Sequence, residues 1–174
     1  MVSRFFEWML VLAAMMGAGP AGAQSVTTDT LSFFDLPGVF VVVTAIDASV
    51  EDHGMHADSL RALLEAKFTD AGIRLLTEDE WRTTIGNPMA YLDITLTTLS
   101  GFNYLYRMQL ELRQMTVLSR DSTIPVFTRT WKSGATMGLV PTSRLATLRE
   151  YVRVAADRFI DAYVVANRQR RRFF

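Results

Sequence analysis

The sequence predicts an α+β domain: a two-layer sandwich with a mixed five-stranded sheet, and with the long C-terminal helix and one other helix on one face. Three observations predict this fold. The run Val39–Ile46 is continuously β-branched or apolar, residues 90–136 alternate apolar and polar side chains, and an apolar stripe at helical spacing follows near the C terminus. The opposite face of the sheet is expected to be partly solvated, with Tyr91, Thr95, Arg107, Gln109 and Glu111 along it.

The N-terminal segment, residues 1–23, has the pattern of a secretory signal peptide. Arg4 precedes the apolar run Trp8–Met16, and Ala21 and Ala23 occupy the A-x-A positions before the predicted cleavage. The apolar run is shorter than the roughly 20 residues that a spanning helix needs. The residue after the cut is not the cysteine of a lipoprotein. We therefore expect an exported protein, periplasmic or extracellular, without a lipid anchor at this end or a transmembrane span in the mature chain.

Composition excludes several classes of function. The chain has no cysteine, which rules out thiolate zinc sites and thiol redox chemistry and leaves stability to the core. Acidic and basic residues balance at 18 each, so no overall field attracts nucleic acid or an anionic membrane. Any such attraction must come from a local cluster.

The mature chain is predicted to hold one domain, residues 38–167, between a polar leader at 24–37 and a tail at 168–174. The leader is rich in threonine and ends at Pro37-Gly38, and we expect it to pack late or stay mobile. The run Val39–Ile46 follows as the strongest strand signal in the chain.

A βαβ unit is predicted next. A helix over residues 57–71 follows from the helical spacing of its leucines and Phe68, and Gly72 stands at the position typical of a helix end. A short strand, Ile73–Leu76, is expected to run parallel to the first. Thr77 and Glu80 then form the capping-box pattern of a short helix.

An antiparallel three-strand meander is predicted for residues 90–136. Even-numbered apolar residues alternate with polar ones on both sides of a predicted three-residue turn, Gly101–Asn103. Beyond Arg113 the apolar phase slips to Met115 and Val117, which indicates a bulge or a strand that outruns its cover. Pro125 near the start of the third strand favours an edge position.

The C-terminal helix has the clearest pattern in the chain. Either Thr142 or Ser143 is expected to cap its N terminus after Pro141. Its apolar stripe is spaced for one helical face and comprises Leu145, Leu148, Val152, Ala156, Phe159 and Tyr163.

The order of these elements, with the phrases that carry it, resembles small secreted bacterial proteins of unassigned function. The phrases are "AGIRLLTEDEW", "NPMAYLDITL", "YRMQLELRQ", "TWKSG" and "REYVRVAADRFIDAYVVAN", within Leu36–Asn167. The topology is also similar to that of the N-terminal domain of TolB and related envelope assembly modules. The resemblance implies an architecture and no residue roles, because fold-level analogy does not establish function.

The two histidines form the only candidate metal site. His53 and His56 lie three residues apart with Asp52 beside them, and imidazole with carboxylate suits zinc. The competing interpretation is a polar, glycine-broken helix entrance, which we favour because no general base or third ligand can be placed. Motifs of serine hydrolases, P-loops and dinucleotide sites are absent from the sequence. We therefore expect no catalytic residues and no cofactor.

Two segments are candidate contact surfaces. The connection Ser133–Pro141 carries Met137, Leu139 and Val140, which either form an adaptable contact surface or tuck over the end of the sheet. The tail is predicted either to bind an anionic surface or to be a frayed helix end, and its candidate residues are Arg168, Arg170, Arg171, Arg172, Phe173 and Phe174.

These observations favour a non-catalytic interaction module of the bacterial cell envelope, exported from the cytoplasm, that binds an envelope protein or an anionic surface. The alternative is a metal-dependent hydrolase or other enzyme centred on His53 and His56. Carriage of a small ligand between sheet and helices is a third possibility, and it requires a cavity.

Overall fold

The computed structural model describes residues 28–100 and 102–168 and shows a sheet with the two longest described helices packed on one face. The strands are β1 Phe40–Val43, β2 Met89–Ser100, β3 Asn103–Leu118, β4 Asp121–Lys132 and β5 Thr136–Pro141. The helices are α1 Thr28–Leu31, α2 Ala48–Glu51, α3 Ala57–Asp70, α4 Glu78–Thr83 and α5 Leu148–Arg168, and a 3₁₀ helix, Thr142–Thr147, precedes α5.

The sheet is mixed and five-stranded, as the sequence predicted. Strands β1 and β2 are parallel and are joined through α3, whereas all other pairs are antiparallel. Strand β3 is long enough to have two neighbours on the side away from β2. Its C-terminal half pairs with β4 and its N-terminal half pairs with β5.

The membership of the sheet differs from the prediction at two places. Ile73–Leu76 forms only one parallel bridge, Val39 to Leu75, because the chain turns into the cap of α4 at Thr77. The fifth strand is instead β5, which lies in the segment predicted to be a connection. Gly138 interrupts the run of side chains that would indicate a strand in the sequence. The N-terminal half of β3, which does not pair with β4, provides the hydrogen-bonding partner of β5.

The register of β2 and β3 follows the predicted alternation. Leu92 pairs with Leu110, and the even-numbered apolar residues share the face that the helices cover. The turn is shorter than predicted, because Ser100 already pairs with Asn103 after a register shift. The β3–β4 pair has an irregularity beside Arg113, which agrees with the predicted phase slip. Strand β4 lies at an edge, as Pro125 predicted.

An aromatic cluster holds the two layers together. Phe159 of α5 lies with its ring centroid 4.8 Å from that of Phe68 in α3, 5.4 Å from that of Trp131 in β4, and 4.8 Å from that of Phe33. Phe33 is fully buried although it belongs to the segment predicted to be a polar leader. The described part of that leader therefore packs into the domain.

The helix patterns are confirmed with one correction. The stripe of α5 is buried through Phe159, and Tyr163 is half-buried. The predicted side-chain cap is wrong: Pro141 occupies the cap position of the 3₁₀ helix and makes no side-chain cap bond. Helix α3 ends as predicted, with Gly72 at a φ of 74°. The capping box of Thr77 and Glu80 is present with both bonds.

Within the described ranges, no helix combines the length and the apolar character needed to cross a membrane. The predicted signal peptide at 1–23 and most of the predicted tail lie outside the described residues.

Candidate interaction surface on the outer sheet face

The outer face of the sheet, which is the face opposite α3 and α5, carries a line of polar side chains along β2, β3 and β4. Odd-numbered residues of β2 and β3 point to it, as the predicted alternation requires. We call this line the polar ladder; its members are Asp93, Arg107, Gln109, Glu111, Arg113 and Arg129.

The ladder is continuously hydrogen-bonded. Arg107 donates from Nη1 to Asp93 Oδ2 at 2.5 Å and from Nη2 to Gln109 Oε1 at 3.1 Å. Gln109 in turn donates from Nε2 to Glu111 Oε1 at 2.8 Å. Arg113 and Arg129 close the line, with donor atoms 2.8 and 2.9 Å from the Glu111 oxygens.

Glu111 is nearly inaccessible although it stands on the open face, with only 2% of its surface exposed. Burial by itself raises the pKa of this carboxyl, but hydrogen bonds and charge from Arg129 and Arg113 outweigh it, so the pKa lies below its usual value. Arg113 also stacks over the ring of Tyr91, 3.7 Å from its centroid. The group is therefore a paired anion at neutral pH.

The outer face was expected to be partly solvated, and this holds only in part. Thr95 is exposed, but Gln109 and Glu111 are both buried. Long arginine side chains explain this burial, because their stems cover neighbouring polar groups while their charges stay near water. The alternation of apolar and polar residues predicted which side chains lie on the outer face, but it did not indicate that arginine side chains cover two of them.

At the end of the face that contains the β2–β3 turn, exposed apolar side chains replace the ladder. We call them the apolar patch; the members and their exposed fractions are Leu99 (63%), Phe102 (81%), Leu105 (45%), Met137 (67%) and Leu139 (61%). Met137 and Leu139 were predicted as contact residues and are exposed, whereas the third predicted residue, Val140, is buried opposite Tyr104. Side chains alternate between the two faces along β5, so Val140 points to the face opposite that of Met137 and Leu139.

Three members of the patch were not predicted from the sequence. Leu105 offers a local signal, since it is an apolar residue in the outward phase of β3. Leu99 and Phe102 offer none, because they lie beside the register shift and in the turn, where alternation assigns no face.

The other end of the outer face is covered in part by α4. The Trp81 ring stacks on Phe40 with centroids 5.5 Å apart and meets Phe127 edge-on at 6.5 Å. Met115 and Val117 are exposed at this end of β3, in agreement with a strand that outruns its cover.

The histidine loop joins α2 to α3. His53 Nδ1 lies 2.8 Å from the carbonyl oxygen of Ser49, and its ring approaches Tyr104 with centroids 6.3 Å apart. His56 is the N-cap residue of α3 and makes no side-chain cap bond. Among the residues that the structure describes, no group of three or more His, Cys, Asp or Glu side chains is arranged to hold a metal ion.

A cleft lies between α5 and the β4–β5 connection. Tyr151 and Arg158 border it, and Arg158 donates to the carbonyl oxygen of Ser133 at 2.9 Å. Its volume is about 20 Å³, enough for roughly one water molecule. Carriage of a small organic ligand needs a cavity of several hundred Å³, so this cleft does not support it.

The predicted tail is described only at its start. Arg168 is the exposed last residue of α5, and Arg170, Arg171, Arg172, Phe173 and Phe174 lie outside the described residues.

Comparison with known proteins adds no relative: no family model matches the chain, and no curated protein matches it significantly.

Proposed function

We propose that the chain is a non-catalytic, exported interaction module of the bacterial cell envelope that binds a protein partner or an envelope surface. One observation carries this proposal: Leu105, Met137 and Leu139 of the apolar patch are exposed on the sheet face that α3 and α5 leave open. Contiguous exposed apolar side chains on a domain surface are typical of an interaction site.

The chemistry of the polar ladder supports a structural role. Glu111 is held between two guanidinium groups, which favour its ionised form and make it a poor general acid or base near neutral pH. The ladder side chains also bond to one another and brace the sheet. A rigid sheet suits a docking surface, because little conformational entropy is lost on binding.

The alternative is a metal-dependent hydrolase centred on His53 and His56, and within the described ranges no group of metal-ligating side chains forms around them. His53 already contacts the Ser49 carbonyl. Elemental analysis of the purified protein tests this alternative directly: stoichiometric zinc that is lost in His53→Ala/His56→Ala would promote it.

Site-specific photo-crosslinking in intact cells tests the proposal. A photoreactive residue at Leu139 is expected to give specific adducts with protein or lipid, because this position is 61% exposed within the patch. The matched control is the same residue at Ala66, an exposed position on α3 far from the outer face. Adducts that are equal at both positions, or absent at Leu139, would contradict the proposal.

A further inference from the structure

The apolar patch lies in parts of the chain that contain no charged residue. Residues 94–106, from β2 through the turn into β3, lack Asp, Glu, Lys and Arg, and so do residues 133–143, which include β5. The charged residue that follows each segment is basic, Arg107 in the first case and Arg144 in the second. This region differs sharply from the neighbouring ladder.

Strand pairing brings the two uncharged segments together. Leu105 of β3 is directly opposite Leu139 of β5, and Arg107 is opposite Met137. The amide of Thr142 donates to the Phe102 carbonyl at 3.0 Å, which ties the β2–β3 turn to the end of β5. The most exposed member, Phe102, therefore stands at the tip of the sheet.

We propose that the apolar patch inserts into the interfacial layer of a phospholipid bilayer. The inference rests on the proposed function and names the surface that the patch binds. A bilayer is favoured because a charged side chain in hydrocarbon costs several kcal/mol, and the patch brings none with it. A protein interface, in contrast, commonly has a polar rim with charged groups.

The dimensions fit interfacial insertion. At about 3.3 Å per strand residue, Phe102 and Leu105 span roughly 10 Å along β3, similar to the 5–10 Å depth of interfacial segments. Arg107 comes two residues later, about 7 Å farther back, and its ion pair with Asp93 balances the only acid on this part of β2. Arg107 is thus placed at the level of phosphate headgroups.

The charged groups of the helix layer stay away from the bilayer in this orientation. The loop that carries Asp52 and His53 reaches Tyr104, an even-numbered residue on the helix-covered face of the sheet. With the sheet tilted so that its outer face meets the membrane only at the tip, this loop lies on the opposite side of the sheet.

Fluorescence labelling on vesicles tests the insertion. Because the chain has no cysteine, Phe102→Cys gives a single site for an environment-sensitive dye such as NBD. The protein is the full chain as recovered from cells, with its N-terminal processing established by mass spectrometry. Vesicles of phosphatidylethanolamine and phosphatidylglycerol are expected to blue-shift and brighten the dye at position 102. Val117→Cys is the matched control, since it is an exposed apolar position near the far end of β3.

Flotation with the same vesicles measures binding. The partition coefficient of the double variant Phe102→Ser/Leu139→Thr is expected to fall at least tenfold. That of Val117→Thr is expected to equal the partition coefficient of the parent. Circular dichroism of each variant confirms that the exposed substitutions leave the fold intact.

Three outcomes would overturn the insertion: no dye response at position 102, an equal response at position 117, or binding that is lost only on removal of residues 169–174. The last result would assign membrane binding to the basic-aromatic tail. If the dye shows no insertion but Leu139 gives specific protein adducts, the bilayer is refuted as the binding surface and the proposed function stands. If vesicles and crosslinking both fail, the proposed function is refuted as well.

Discussion

The substitution Phe159→Ala tests the aromatic cluster that joins the two layers. Phe159 is fully buried and contacts Phe68, Trp131 and Phe33, so its removal affects α3, β4 and the N-terminal segment together. Phenylalanine-to-alanine changes in cores cost about 3–5 kcal/mol. Two edge-on ring contacts, with Phe33 and Trp131 and each worth about 0.5–1.5 kcal/mol, place the expected loss in the upper part of that range.

Thermal denaturation followed by tryptophan fluorescence measures the effect, because Trp131 is in the cluster. A domain of this size loses about 3 °C in Tm per kcal/mol, so the midpoint should fall by about 10–15 °C. Val154→Ala on the same helix is the matched control: its side chain is 42% exposed, and it should cost less than about 0.5 kcal/mol. Equal losses in the two variants would refute the placement of α5 against the sheet.

A double-mutant cycle between Phe33 and Phe159 separates the contribution of the N-terminal segment. Their ring centroids are 4.8 Å apart at an interplanar angle of 86°, an edge-on contact with an expected coupling of about 0.5–1.5 kcal/mol. Additive losses would show that the segment before β1 does not pack on α5 in solution.

Three further predictions concern the ladder, Gly38 and the histidines. The pKa of Glu111 is lowered in the folded state, so the stabilisation from its charge is complete above the unfolded-state pKa of about 4.3 and is lost as the pH falls through the folded-state pKa. The difference in unfolding free energy between the parent and Glu111→Gln should therefore narrow on acidification. A difference that stays constant with pH would contradict this prediction. Gly38→Ala should cost roughly 1–3 kcal/mol by thermal unfolding, because a Cβ there would lie 2.8 Å from the Arg74 carbonyl oxygen. An unchanged Tm would show that the backbone around residue 38 relaxes freely. His53→Ala/His56→Ala should leave Tm nearly unchanged, and mass spectrometry should find no stoichiometric metal in the parent.

Local patterns predicted the elements whose signals depend on near neighbours in the chain. The stripe from Leu145 to Phe159 is buried, the box of Thr77 and Glu80 forms, and Gly72 ends α3 with positive φ. Each of these signals is short-ranged, because helical spacing, capping and glycine conformation act within a few residues. The even-numbered face of β2 and β3 was predictable for the same reason.

The candidate site was predictable only in fragments. Met137 and Leu139 were identified as exposed apolar residues, but as part of a loop that also included Val140. Their true partners, Leu105 and Phe102, lie on β3 and its preceding turn. No local pattern connects these segments, because their proximity depends on which edge of β3 the chain returns to.

The sequence by itself determined the fold class, the helices α3, α4 and α5, and the face to which most strand residues point. Only the tertiary structure decided that Leu75 contributes a single bridge, that β5 completes the sheet, and that Glu111 is buried between Arg113 and Arg129. The physical reason is the range of the interactions. Periodicity reports which side of an element is apolar, whereas strand pairing and the cover given by long side chains depend on residues that are distant in the chain and become neighbours only in the folded state.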